Sequence, residues 1–182
     1  MQPEQESSAS QAEDPGGSPD PDPLEPTSHP DPDPISVTME MAVDDCIPPA
    51  AGWLESQLGK VLRLAGVTEA RLGLVVVDDA RMSELHDQYL GDPTTTDVIT
   101  FDMREDKQGP IEGDLVLCMD EARRQANRRG HDTRLELLLY AVHGFLHLLG
   151  EDDHTELGYE RMHRMEDELL TRAGFGAVFN SG

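Results

Sequence analysis

Cationic side chains are scarce in this chain: 182 residues carry 14 Lys and Arg against 37 Asp and Glu, a formal charge of −23. That balance excludes a generic basic binder of polyanions, because any such partner would have to be met by a local patch against an adverse overall field. Cysteine is nearly absent as well. Cys46 and Cys118 lack C-x-x-C spacing and are too few for a disulfide framework, so both read as buried free thiols. No stretch approaches about 18 uninterrupted apolar residues, which excludes a membrane-spanning helix. The N-terminus has neither the basic nor the apolar region of a secretory signal. The expectation is a soluble cytoplasmic protein.

What is present divides the chain into parts. Residues 1–34 hold nine of the 13 prolines and nine of the acids, with no Lys or Arg. Such a segment cannot offset its ordering entropy by burial, so it is predicted to be a disordered, acidic, Pro-rich tail with polyproline-II character. Without it, residues 35–182 keep a formal charge of −14. The expected domain runs over 35–176, followed by a short C-terminal tail over 177–182, and its length suffices for one real core.

Within the domain the hydrophobic period changes along the chain. Ile35, Val37, Met39, Met41 and Val43 alternate with polar residues, the signature of a half-buried strand. Pro48 and Pro49 open a helix through Trp53, Leu58 and Leu62 to Gly66; a strand follows over Leu72–Val77. Asp79 is a plausible N-cap for a helix through Leu85 to Tyr89. Two more strands, Val98–Asp102 and Asp114–Cys118, flank a polar loop, and helices are expected over Asp120–Arg129, Thr133–Leu149 and Thr155–Ala173. This order predicts an α+β domain in which helices cover a mixed four-stranded sheet.

The most informative stretch is HGFLHLLGEDDH, residues 143–154. Histidines four residues apart on a helix lie about 40° apart around its axis, so His143 and His147 can reach one ion. The helix carrying them is apolar nearly all round and should be buried, which holds the ligands rigidly. Gly150 can end it in a left-handed cap, and the returning chain then offers His154, with Asp152 and Asp153 beside it. Three imidazoles and an open position would make a catalytic Zn²⁺ site, one ion per chain; spacing alone leaves the question open. Gly144 stands where the H-E-x-x-H zinc proteases carry their general-base Glu, so a peptidase reading loses its base. A residue without a side chain there also allows a strand or a substrate backbone to come close.

HGFLHLLGEDDH resembles the HGxLHLxGYDH signature of the YbeY family, metal-dependent endoribonucleases of ribosomal-RNA maturation. TTTDVITFD (94–102) and EGDLVLC (112–118) are similar to the family's P-T-D-V-L-S-F and L-G-D-I-V-I-C segments, in the same order, and the likeness spans about Ile35 to Gly174. The resemblance implies a zinc-dependent, single-strand-specific endoribonuclease that matures the 3′ end of small-subunit ribosomal RNA and serves ribosome quality control. Its partners would be ribosomal RNA, the ribosome or ribosomal proteins, and no membrane. The alternative is a non-catalytic ribosome-assembly factor with a structural zinc.

The chain departs from the family pattern twice. The third histidine of the signature stands six residues after the second, where this chain has Asp153, and His154 comes one later. A one-residue bulge after Gly150 would keep His154 as the ligand; otherwise Asp153 could substitute through a carboxylate oxygen. Leu90 occupies the place of an Arg that the resemblance would make the phosphate contact. Replacement cations lie nearby, since residues 120–134 hold five Arg against three acids, a local +2. Arg124 and Arg128 share one helix face and are candidate RNA contacts, as is the hydroxyl of Thr96, although a solvated face would have the same composition. Asp97 is expected to pin its loop; His131 and His163 read as surface or structural, and His86 as ambiguous. Beyond the ion, no catalytic residue is assigned.

Overall fold

The computed structural model describes residues 33–43 and 50–178. The tail up to residue 32, Cys46, Pro48 and Pro49 lie outside the described residues. Nine elements follow in order: β1 (Ile35–Met41), α1 (Ala50–Leu64), β2 (Ala70–Val77), α2 (Asp79–Leu90), β3 (Val98–Asp102), β4 (Ile111–Cys118), α3 (Met119–Arg129), α4 (Thr133–Leu148) and α5 (Glu156–Ala173). The sheet order is β1-β2-β4-β3, parallel except for the antiparallel β3–β4 pair. A four-stranded mixed sheet with helices on its faces is the α+β architecture read from the sequence.

Period-two alternation sorts the strand residues onto two faces. Leu72, Leu74, Val76, Leu115 and Leu117 join the main core with Leu58 and Leu62 of α1, Phe145 of α4 and Leu170 of α5. On the opposite face Val77, Ile99, Val116 and Cys118 pack against Met82 of α2. Helix α4 is buried along most of its length, from Glu136 to Leu148. Its apolar sequence could be satisfied only by a position of that kind.

Local chemistry sets the ends of the elements. Helix α2 is capped by Asp78, whose carboxylate accepts from the Arg81 amide at 2.8 Å, not by Asp79 as the sequence suggested. The Asp79 side chain instead accepts from Arg124. Gly150 does follow α4 with a left-handed φ of 90°, and the Glu151 amide bonds back to the Leu146 carbonyl at 3.1 Å. Arg104 reaches the Leu148 carbonyl at the same helix end while pairing with Asp102, placing a cation at the negative end of the helix dipole. The last two residues of the predicted tail are tied down: the Ile35 amide donates to Asp33 and the Ala70 amide to the Pro34 carbonyl, both at 2.9 Å. Val178, in the predicted C-terminal tail, is buried in the main core.

Gly144 lies where α4 crosses the sheet. A Cβ there would come within 2.8 Å of Leu115 Cδ2, 3.0 Å of Thr100 Oγ1 and 3.2 Å of Val98 Cγ2. The missing side chain therefore lets α4 sit down on β3 and β4. Gly144→Ala should overpack this contact and cost about 1–3 kcal/mol, since the neighbours can yield only in part. The urea midpoint reads this directly, and an unchanged midpoint would show that the strands move aside freely.

Candidate metal centre

His143 and His147 project from the last turns of α4 with their rings nearly perpendicular, centroids 4.6 Å apart. Each Nδ1 faces an acceptor: Glu166 Oε1 lies 2.6 Å from that of His143, and the Glu151 carbonyl 3.0 Å from that of His147. Both Nδ1 atoms therefore carry a proton and donate it, which in the neutral rings leaves both Nε2 atoms as bare acceptors. Those two Nε2 atoms are 3.0 Å apart. Converging lone pairs repel one another unless a cation or a proton sits between them.

A carboxylate closes the arrangement. Asp153 places Oδ2 at 3.5 Å from His143 Nε2 and Oδ1 at 3.9 Å from His147 Nε2. Ligand atoms of these three residues all lie within 4.8 Å of one another, and two imidazoles with one carboxylate form a donor set suited to zinc with a position left open. His154 does not join the pair. Its side chain is 84% exposed and bonded to Asp152 at the surface, where it belongs to a separate group with Asp152 and Asp153. The bulge that would have turned His154 inward is not formed; Gly158, in the first turn of α5, takes the Asp152 carbonyl against the position a Cβ would fill. That close approach fixes the path of the loop and leaves Asp153 on the inner side.

Behind the pair stands a residue the sequence reading missed. Glu166 is 1% exposed on α5 and accepts from His143 through Oε1 and from His163 through Oε2, each at 2.6 Å. One buried carboxylate thus fixes the orientation of two rings, and His163, read from the sequence as surface or structural, is held at the centre. Its ring stacks at 6.3 Å on that of His143 and meets Tyr159 edge-on at 4.1 Å. Burial works against a charged His143, but the bond and the charge of Glu166, joined by the charges of Asp97 and Asp153, outweigh it and hold the imidazole above its ordinary pKa. The sequence signal was the spacing His163-x-x-Glu166, which puts both residues on one helix face beside the buried Met162 and Leu169.

The centre opens into a cavity of about 250 Å³ lined by Asp97, Arg129, Tyr140, Asp153, Tyr159 and His163, among others. A second cavity of about 340 Å³ shares Asp97, Arg129 and Tyr140 with it and adds Thr95, Thr96, Glu121 and Gln125. Together they form a groove from the histidines to the threonine loop. Asp97 pins that loop as expected, accepting from the Val98 amide at 2.9 Å and the Thr96 hydroxyl at 3.1 Å. His86 pins it from α2, its Nδ1 2.8 Å from the Thr94 carbonyl.

The two candidate arginines lie elsewhere. Arg124 grips Asp79 with both terminal nitrogens, at 2.6 and 2.8 Å, and Glu121 with Nε at 2.7 Å; its guanidinium holds the Asp79 carboxyl down at about 2. Arg128 is exposed on the helix, and neither residue lines the groove. Arg129 does. Its Nη1 is 2.9 Å from Glu136, which is fully buried and has its other oxygen 2.9 Å from His131 Nε2. Leu90 is 64% exposed at the end of α2 and lies outside the groove. Cys118 is a buried free thiol, pushed by burial up to about 11. No described helix is long and apolar enough to cross a membrane.

Comparison with known proteins adds independent findings. The family model described as Endoribonuclease YbeY matches residues 49–174. The chain is similar to the Endoribonuclease YbeY of Desulfitobacterium hafniense, 36% identical over 68% of this chain and 85% of that one. It is also similar to the protein of that name from Pelotomaculum thermopropionicum, at 39% identity over 73% of this chain and 90% of the relative. In fold it resembles the solution structure of TM1509 from Thermotoga maritima, with a TM-score of 0.52 and 20% identity, covering 75% of this chain and 90% of that one. With the family's motif segments lying on α4 and on β3 and β4 beneath it, and with a match over most of the domain, this chain belongs to the YbeY endoribonuclease family.

Proposed function

We propose that this protein is a metal-dependent endoribonuclease that cuts single-stranded RNA, using Zn²⁺ held by His143, His147 and Asp153. Its field of action would be ribosomal RNA, at the 3′ end of the small-subunit precursor and in ribosome quality control, in the cytoplasm. The observation that carries the reading is the pair of bare Nε2 atoms 3.0 Å apart, turned toward one point by acceptors on both Nδ1 atoms and faced by a carboxylate. Bound there, the ion would supply Lewis acidity toward a phosphodiester oxygen or a water molecule.

The remaining residues bind and orient. Glu166 and the Glu151 carbonyl keep both imidazoles in the tautomer that presents Nε2. Arg129, on the walls of both cavities, is placed to hold a backbone phosphate, with buried Glu136 steadying its Nη1. It takes over the contact that Leu90 cannot make. Thr96 lines the second cavity and offers a hydroxyl along the same path.

Metal-dependent cleavage of a short single-stranded RNA, absent on the corresponding duplex and abolished in His147→Ala, is the expected result, read from the ends of the products. RNA that is bound but never cut by the zinc-loaded protein would instead favour an assembly factor with a structural ion.

Arg129→Lys keeps a charge for Glu136 but removes the planar fork, and Arg129→Gln removes the charge. The salt slope of RNA affinity should shrink by roughly 0.7 in the Gln variant, the single-strand value for one lost phosphate contact. Arg124→Gln should leave that slope unchanged, because its guanidinium is already committed to Asp79. Equal slopes for wild type and Arg129→Gln would remove Arg129 from the RNA path.

A further inference from the structure

The cavity in front of the histidines has a lining that does not favour an anion. Asp97, Asp153 and Glu166 stand against one guanidinium, that of Arg129, in a domain whose residues 35–182 carry a formal charge of −14. Even with an ion bound, much of the attraction for RNA must come from contacts that do not depend on charge. Tyr159 supplies a candidate. Six large apolar side chains are exposed among the described residues, and Tyr159, at 46%, is the one of them that lines this cavity. An exposed aromatic ring at the rim of a polar cleft is surface that folding left in water, although its helix buries Met162, Leu169 and Leu170 a turn or more further on.

We infer that Tyr159 is a base-stacking platform: it takes the face of an unpaired nucleobase next to the phosphodiester that enters the metal cavity. This rests on the endoribonuclease reading. The ring is placed by its neighbours, meeting His163 at 80° with centroids 4.1 Å apart, while His163 is held by Glu166 at 2.6 Å. The platform is thereby built onto the same buried carboxylate that orients His143, which fixes its distance from the ion site. Every base has a π face, so such a contact tolerates any sequence. It also requires a base that is unstacked from its neighbours, which a duplex does not offer. Tyr159 would therefore select single strands, as Arg129 on the same cavity wall takes the phosphate. The phenol is dispensable in this role and the ring is not.

The test measures binding of the zinc-loaded full chain to a labelled single-stranded oligoribonucleotide carrying 2′-O-methyl groups against cleavage, with one abasic nucleotide moved along it. Wild-type affinity should fall roughly tenfold at one position of the abasic nucleotide, the scale of one base–aromatic contact. Tyr159→Ala should bind the intact strand roughly tenfold more weakly and be indifferent to that abasic position. Tyr159→Phe should behave as wild type, and all three should retain equal zinc by elemental analysis. A Tyr159→Ala protein that matches wild type at every abasic position, while wild type cleaves the unmodified strand, overturns the platform and leaves the nuclease reading intact. Wild-type protein that neither binds nor cleaves single-stranded RNA overturns both. Loss of zinc in Tyr159→Ala would likewise overturn the assignment, because the ring would then be supporting the metal ligands.

Discussion

Asp153→Ala is expected to release most of the bound zinc, while His154→Ala retains it. Both residues follow Gly150, yet only the Asp153 carboxylate stands beside the two Nε2 atoms, at 3.5 and 3.9 Å. Removing a direct ligand should exceed the loss of about 10–100-fold in affinity that follows removal of an outer partner. His154 lies at the surface with Asp152 for company, and its loss should move affinity by less than that. Asp153→His, which puts an imidazole where the family signature has one, should hold the ion. Elemental analysis after dialysis against a weak chelator reads all three. Zinc retained in Asp153→Ala but lost in His154→Ala would sink the assignment and restore the three-histidine site.

A second large effect is expected at Glu166. The carboxylate is buried and accepts two Nδ1–H groups, so Glu166→Leu strands two donors, at about 1–3 kcal/mol each. Glu166→Gln keeps the shape and an acceptor oxygen but loses the charge and one of the two acceptors. Its zinc affinity should fall about 10–100-fold, since His143 and His163 must then compete for one uncharged oxygen and the hold on the Nδ1 proton of His143 weakens. Thermal midpoints of the metal-free proteins and chelator competition separate the two consequences. Unchanged chelator competition in Glu166→Gln would mean that the orientation of His143 is set by α4 packing alone.

Short-range pattern made one half of this protein legible. Four-residue spacing on an apolar helix put His143 and His147 on one face, because the period of a helix is a local property of the backbone. The same holds for the first strand, where Ile35, Val37, Met39 and Met41 alternate with polar residues and face the main core. The resemblance in HGFLHLLGEDDH, TTTDVITFD and EGDLVLC pointed to the family that the comparisons show. Where the helix stopped, so did the inference. After Gly150 no period says which way a side chain turns, and which of Asp153 and His154 faces the pair is set by Gly158 of α5 meeting the Asp152 carbonyl.

Glu166 was beyond reach for a similar reason: 23 residues separate it from His143, and only the packing of α5 on α4 brings them together. Arg124 and Arg129 share one arginine-rich helix, yet Asp79 of α2 draws the first away while Glu136 of α4 steadies the second at the groove. The sequence by itself determined the α+β fold class, the paired imidazoles and the family, all of which depend on residues close together in the chain. Which carboxylates meet those imidazoles, and which cation and ring line the cavity in front of them, depends on how separate elements pack. Distances of a few ångströms between them follow from the shape of the whole core, and no local spacing encodes that.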